Sequence, residues 1–347
     1  MGKSSTSRGA RKNSTKARES SLSGNAPSGW IRFGWQGISG LVPPEWNIGA
    51  IGGDHKQGYL RLDDTDYPRL EVKWNQQQID LSRVLEKYLR SMKAPKKFGG
   101  GILGKGRRAV EVDRKVKIIS HRAKPSKEIL GFSWQQAQGL KGAGVVWTCQ
   151  VCRRTLFGQV RAYGAEDAVA LAKRIFSSLE DHGEAGRLLW ALYGLEFRIP
   201  EKYLLIGQSL MAGYLELRFQ NRQRKLRVSR WGLAANLLAQ GNLSDWFKTA
   251  GVSPKSGFHW QAHDTIIKEH PGLKILGRSQ RPLARLGKSL RALSRSALKR
   301  SGGGPAESDG AGRVWHCSQS NRIYLVESLH EPEAEVLAEV IESINCH

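Results

Sequence analysis

The chain states one pattern twice in the same order, so any fold that accommodates it has to be built from two units. Gly58-Tyr59-Leu60-Arg61-Leu62 returns as Gly213-Tyr214-Leu215-Glu216-Leu217. Each is preceded by a proline-bearing strand start, Val42-Pro43-Pro44-Glu45-Trp46 in one case and Ile199-Pro200-Glu201-Lys202-Tyr203 in the other. Val146-Trp147-Thr148-Cys149 returns as Val314-Trp315-His316-Cys317, and each runs through an arginine, Arg154 or Arg322, into an apolar strand and then a helix. A repeat of roughly 155 to 168 residues is far too long for a solenoid unit, so each copy reads as a domain. The length of 347 residues agrees, because domains run to about 100–200 residues.

The expected organisation is a disordered basic tail over 1–29, a first α+β repeat over 30–182 and a second over 183–347. The first carries a basic, glycine-rich insert near 93–130 and the second a basic helical insert near 250–312. In the first repeat, 30–42 and 46–52 read as strands. Residues 59–62 and 70–74 alternate as a hairpin around Asp63, Asp64 and Asp66. Leu81, Val84, Leu85, Tyr88, Leu89 and Met92 then recur at helical spacing. Val116-Lys117-Ile118-Ile119 and 145–161 return to strand character before a helix over about 165–179. The second repeat gives strands at 193–200, 203–207, 213–219 and 225–231, a helix at about 233–240, strands near 314–326, and a closing helix from Pro332 to Ile344. This order predicts a mostly antiparallel sheet packed with helices in each repeat.

No run approaches the ~18 apolar residues of a membrane helix, and no secretory leader pattern stands at the start. Four cysteines in the whole chain are too few and too scattered for a disulfide framework, so a soluble, cytoplasmic protein is expected. The 55 Lys+Arg against 31 Asp+Glu give a formal charge of +24. An excess of that size destabilises a compact chain by self-repulsion and points to a polyanionic partner, nucleic acid first.

Several motifs suggest chemistry and each falls short of it. Gly99 to Gly106 nearly spells a phosphate-cradling loop, but Gly106 stands where a hydroxyl is needed and no helix is expected to follow. Cys149-Gln150-Val151-Cys152 has the spacing of a zinc knuckle. With no second such pair, and with Cys317 and Cys346 apart in sequence, core cysteines are the expectation, and a lone zinc site borrowing His316 or His347 is the alternative. His259 and His263 would share a helix face, yet Trp260 occupies the position where a metalloprotease carries glutamate, so partly exposed histidines beside a buried tryptophan are expected. Asp63, Asp64 and Asp66 suit a hard cation but read better as caps of backbone N–H groups. No catalytic residue, metal ligand or cofactor is assigned.

The sharpest pattern lies in 281–300, where Arg281, Arg285, Lys288, Arg291, Arg295 and Lys299 recur at the helical period and Leu283, Leu286, Leu290, Leu293 and Ala297 follow on the opposite side. With Lys96, Lys97, Lys105, Arg107 and Arg108 of the first insert, these are the candidate residues for contacting phosphates. Met1 to Thr6 fits a myristoylation pattern beside a basic cluster, and the 281–300 helix suits an anionic bilayer, so peripheral membrane contact is a further, lesser reading.

Pro43-Pro44-Glu45-Trp46 after the first strand, Arg322-Ile323-Tyr324-Leu325-Val326 in a late strand, and a final helix ending Glu342-Ser343-Ile344 resemble the Mog1/PsbP-like fold family. The resemblance implies a binding or assembly factor rather than an enzyme, and the long inserts depart from that family's compact form. The expected function is a non-enzymatic protein that contacts polyanions, most directly the nucleic-acid backbone, through basic inserts on a duplicated scaffold. A protein–protein adaptor or assembly factor for an acidic partner is the second reading. An enzyme of unrecognised type is the third, set behind the others because no polar constellation recurs in both copies.

Overall fold

The computed structural model describes residues 29–93, 110–120, 122–137, 139–250, 258–279, 310–329 and 333–347. Strands dominate. The first part of the chain gives β1 (Ile31–Trp35), β2 (Ile38–Val42), β3 (Asn47–Gly53), β4 (Gln57–Asp63), β5 (Pro68–Asn75), α1 (Leu81–Lys93), β6 (Val110–Asp113), β7 (Lys127–Gln136), β8 (Lys141–Cys149), β9 (Thr155–Ala162) and α2 (Ala168–Ser178). The remainder gives β10 (Arg187–Leu192), β11 (Leu195–Pro200), β12 (Leu204–Met211), β13 (Tyr214–Asn221), β14 (Arg224–Gly232), α3 (Ala234–Leu237), α4 (Leu243–Thr249), β15 (Phe258–Ile267), β16 (His270–Ser279), β17 (Gly310–Cys317), β18 (Arg322–Leu329) and α5 (Ala334–Ser343).

These strands form two seven-stranded sheets, β3-β4-β5-β9-β8-β7-β6 and β12-β13-β14-β18-β17-β16-β15, and a four-stranded sheet, β11-β10-β1-β2. The strand pairings are antiparallel throughout.

Turn chemistry sets the four-stranded sheet. Gln36 and Gly37 have φ of 54° and 83°, and Tyr193 and Gly194 have 48° and 74°. Two successive positive φ values make the tight turn whose twist suits a hairpin, with glycine at the second position where a side chain costs most. The hairpins β1–β2 and β10–β11 then meet through β1 and β10, with Gly34 opposite Ala191. A Cβ at Gly34 would lie 2.6 Å from the Leu189 carbonyl oxygen, so only glycine lets the two strands approach this closely. The Trp35 and Trp190 rings meet edge to face across the junction at 5.0 Å.

Strand alternation divides the side chains of each large sheet between two layers. In β8, Ala143, Val145 and Trp147 join a central core that also takes in Trp35, Ile175, Trp190, Phe197, Trp315 and Val340, so one apolar cluster runs through both parts of the chain. Val146, on the other face, packs with Phe132, Phe157 and the α1 residues Leu81, Leu85 and Leu89. The second large sheet divides in the same way: Trp315 and Tyr324 face the central core, and Val314, Ile323 and Leu325 face α3 and α4 through Ala234, Trp246 and Phe247. Trp35, Trp147, Trp190 and Trp315 are all fully buried. Each removes some 150–250 Å² from water, about 4–6 kcal/mol on area grounds, so these four dominate the core.

Several expectations need correction. The strand expected over 30–42 is a hairpin broken at Gln36-Gly37. Val116–Ile119 form no strand; Ile118 is nevertheless buried in the central core by an irregular segment. The helix expected over 233–240 is the four-residue α3, followed by α4 after the Asn242 cap. Within the helical insert expected near 250–312, residues 258–279 are instead the hairpin β15–β16, which completes its sheet.

Candidate metal centres

At one end of each large sheet, thiols and imidazoles converge from strands and helix tails that are distant in sequence. The first group is built on the end of β8. Cys149 closes that strand, and the turn that follows, with Arg153 at φ 57°, brings Cys152 back beside it. The α2 helix, capped by Asp167, ends at Leu179. The tail beyond it pairs Glu180 with Ser39 of β2 and delivers Asp181 and His182 to the same place. His182 Nδ1 lies 3.6 Å from Cys149 Sγ and 2.9 Å from Asp181 Oδ1. Asp181 is fully buried, and its carboxylate accepts from Lys127 Nζ and Trp147 Nε1, each at 2.7 Å.

The second group is built on the end of β17. Cys317 closes that strand, and the tail beyond α5 pairs Asn345 with Glu196 of β11 and delivers Cys346 and His347. His347 Nδ1 lies 3.5 Å from Cys317 Sγ and 3.4 Å from Cys346 Sγ. His270, opening β16, places Nε2 at 3.4 Å from Cys346 Sγ. Within each group, Cys149, Cys152, Asp181, His182 or His270, Cys317, Cys346, His347, the donor atoms all lie within 4.8 Å of one another.

Matching positions carry different residues. Cys152 answers to Ser320, and the tail Leu179-Glu180-Asp181-His182 answers to Ile344-Asn345-Cys346-His347. Lys127 pairs with Cys149 in the β7–β8 ladder. In the β16–β17 ladder Gly272 pairs with Trp315, and two residues further on the same register sets His270 beside Cys317. Trp147 donates to Asp181, whereas the Trp315 indole N–H has no acceptor among the described residues, because a cysteine stands where the carboxylate would be.

Proton positions follow from these contacts. The Cys149 thiol is pulled down to about 4 by the hydrogen bond from Cys152, against the effect of burial and with help from His182. Its bond to Cys149, together with burial, pushes Cys152 up. His182 is raised to about 9 by its bonds to Asp181 and Cys149. Burial would raise Asp181, but His182, Lys127 and Trp147 hold it well below the usual carboxylate range. Burial lowers Lys127, and the Asp181 charge more than reverses that.

A Cys–His–Asp set invites comparison with a nucleophilic triad, which requires the base to face the nucleophile with one ring nitrogen and its orienting carboxylate with the other. Here Nδ1 of His182 faces both. Cys149 is also fully buried among the described residues.

The eleven basic residues expected to contact phosphates, Lys96, Lys97, Lys105, Arg107, Arg108, Arg281, Arg285, Lys288, Arg291, Arg295 and Lys299, lie outside the described residues, as does the near-P-loop at 99–106. Asp64 caps the backbone N–H groups of Asp66 and Tyr67, and Asp63 is held by Arg61. His259 and His263 are exposed on β15. Their four-residue spacing, which would bring them together on a helix, sets them about 13 Å apart on a strand, too far to share a metal.

Cys149 and Cys317 are buried as core positions. The expectation that Cys317 and Cys346 stand apart is overturned: the α5 tail brings them together. Of the two histidines considered as a borrowed ligand, His347 joins a group, but with Cys317 rather than with Cys149 and Cys152. Sequence reasoning missed Asp181, His182 and His270. Comparing the residues just past the two matched helices would have exposed the first two.

No helix among the described residues is long and apolar enough to cross a membrane. No protein-family model matches the sequence, and no curated protein matches it. Among solved structures, immunity protein TplEi of T6SS from Pseudomonas aeruginosa, complexed with "L" peptide, is similar over 92% of this chain and 98% of that chain, with 11% identity and a TM-score of 0.28. A likeness at that level bears on neither fold nor function.

Proposed function

We propose that the protein is a non-enzymatic binding protein that contacts polyanions, nucleic-acid backbone foremost, from a duplicated α+β scaffold. The observation that carries this reading is the solvent face of α1. Leu81, Leu85 and Leu89 turn inward, while Arg83, Lys87 and Arg90 are exposed. Spacings of four and three residues set these cations in one row. Glu86 of the same helix is engaged by Arg114. In the sequence, α1 is followed by Lys96, Lys97, Lys105, Arg107 and Arg108.

The duplicated scaffold is supported by the shared sheet. The repeat that matches Gly37 with Gly194 also matches Gly34 with Ala191, the very residues that pair across it. A strand that meets its own counterpart at the matching residue is what a two-fold arrangement of like units produces. The bulges in β3, between Ile48 and Ala50, and in β12, between Leu205 and Gly207, fall at matching places as well.

Fluorescence anisotropy with a labelled duplex and a labelled single strand, each across a salt series, tests the function. Removing three phosphate contacts from a duplex complex lowers the log–log salt slope by about 2.7. Replacing Arg83, Lys87 and Arg90 with glutamine should therefore flatten the slope by an amount of that order. Wild-type protein that binds neither probe at low salt would end the proposal.

A protein partner, in an adaptor or assembly role, is the second reading, and the Mog1/PsbP-like resemblance implies a binding or assembly factor. It is favoured by β12, an edge strand whose Leu204, Ile206 and Met211 are 42, 52 and 59% exposed. An apolar open edge invites pairing with another chain. Partners retained after nuclease treatment and lost with Ile206→Lys would favour this reading over the first.

A further inference from the structure

We propose that each large sheet carries a tetrahedral zinc site: one formed by His270, Cys317, Cys346 and His347, the other by Cys149, Cys152, His182 and Asp181. This goes beyond polyanion binding and does not depend on it.

The donor chemistry selects the metal. Thiolate with imidazole suits Zn(II), whereas calcium and magnesium require oxygen ligands. The geometry agrees. With Zn–S near 2.3 Å and Zn–N near 2.05 Å, adjacent sulfur and nitrogen ligands of a tetrahedron stand about 3.5 Å apart. The separations from Cys317 and Cys346 to His347, and from Cys346 to His270, are 3.5, 3.4 and 3.4 Å, and that from Cys149 to His182 is 3.6 Å. Three edges of the second group, which together link all four donors, already have the length such a polyhedron requires.

The differences between the two groups argue more strongly than their likeness. Cys149 with Cys317 and His182 with His347 keep the same residue at matching positions, whereas Asp181 answers to Cys346, and Cys152 and His270 have no counterpart donor. The second cysteine comes from a turn in one group, Cys152, and from the helix tail in the other, Cys346. The fourth donor is Asp181 in one and His270 in the other. The residues have been exchanged while the donor number of four and the cysteine number of two are kept. Packing alone sets no such requirement, because a buried cysteine at one of these places is only a small apolar side chain.

The surroundings fit each donor set. A carboxylate ligand adds a negative charge that an imidazole does not, and Lys127 supplies a positive one at 2.7 Å from Asp181, in the register position that His270 holds in the other sheet. Lys127 and the Trp147 indole fix the carboxylate from outside, as groups behind a metal ligand do. Occupation displaces to solvent the protons that the thiols and the coordinating ring nitrogens hold, and leaves thiolates and neutral imidazoles on the metal.

The test uses the full-length chain, produced in zinc-supplemented medium and purified under reducing conditions. Elemental analysis should find two zinc ions per chain. Cys152→Ala, in a partly exposed turn, should lower that to one through loss at the first site, and His270→Gln should do so through loss at the second. Replacement with Co(II) should give the thiolate-to-cobalt charge-transfer absorbance of tetrahedral sulfur ligation, halved in each variant. Because the wild-type metal content and cobalt spectrum are read first, a variant that fails to fold does not decide the outcome. Wild-type protein that carries no zinc and gives no cobalt–thiolate absorbance overturns the proposal, as does a thiol count below four in a separate preparation lysed and denatured without reductant, which would mean that the cysteines are joined to one another. One zinc per chain overturns the site whose variant leaves that content unchanged.

Discussion

Lys127 lies against Asp181 in the interior, its ammonium 2.7 Å from the carboxylate and 4.5 Å from the centre of the Trp147 ring. The two side chains are 2% and 0% exposed. Removing one partner of a buried pair strands the other charge, at a cost of about 3–5 kcal/mol. In metal-free protein, unfolded by urea with a chelator present, Lys127→Met should therefore lower stability by that amount, and Lys127→Met with Asp181→Asn should recover part of it. A loss under about 1 kcal/mol for the single variant would show that Asp181 is compensated by other neighbours.

A second buried pair offers a test with a pH dependence. Arg227 Nε lies 2.8 Å from Glu327 Oε1, and Glu327 is 2% exposed. Burial pushes the Glu327 carboxyl above its ordinary value although Arg227 pulls it back. A carboxyl raised by folding adds stability below its unfolded pKa of about 4.3 and loses that contribution as pH rises through the folded value. In Arg227→Met the folded value rises further. The variant should lose about 3–5 kcal/mol at neutral pH, with a smaller deficit in acid, where Glu327 takes up a proton. Urea midpoints across pH check this, and a deficit that does not change with pH contradicts it.

Gly34 controls the joint between the hairpins. Its missing side chain leaves room for the Leu189 carbonyl oxygen, which a Cβ would approach to 2.6 Å. Gly34→Val should force β1 and β10 apart at a cost of about 1–3 kcal/mol. Thermal unfolding should then broaden or split. An unchanged midpoint and width would show that the joint yields without loss.

Cutting the chain within the turn before β10 probes the same joint from the other side. A fragment of residues 29–182 keeps one whole seven-stranded sheet but bares the β1 edge. Such an edge should pair with its own copy. The fragment is expected to run as a dimer in light scattering, and a stable monomer would contradict this.

The strands and the helix of some segments were legible because their chemistry is local. Alternation at 59–62 and 214–217 and helical spacing at 81–92 state their structure within a few residues. The β15–β16 hairpin was not legible, since the four-residue spacing of His259 and His263 suits a helix as well as a strand, and ladder pairing settles the choice. The thiol–imidazole groups were illegible for a related reason. Cys149 and Asp181, or His270 and Cys346, are brought together only by a helix tail docking across a sheet, and no window of sequence contains both. Cys149-Gln150-Val151-Cys152 looked incomplete because its remaining donors arrive from beyond the next helix.

The placing of β1 bears on how the chain is made. About 150 residues separate Trp35 from Arg187, so at a translation rate of about 5–20 residues per second β1 waits roughly 8–30 s for its partner. Throughout that interval the nascent polypeptide holds out an open strand beside an exposed Trp35, a site for chaperone capture or for mispairing between neighbouring ribosomes on one message. Slow decoding of the stretch before Arg187 would lengthen this exposure, which makes yield in the cell sensitive to codon choice there in a way that equilibrium stability is not.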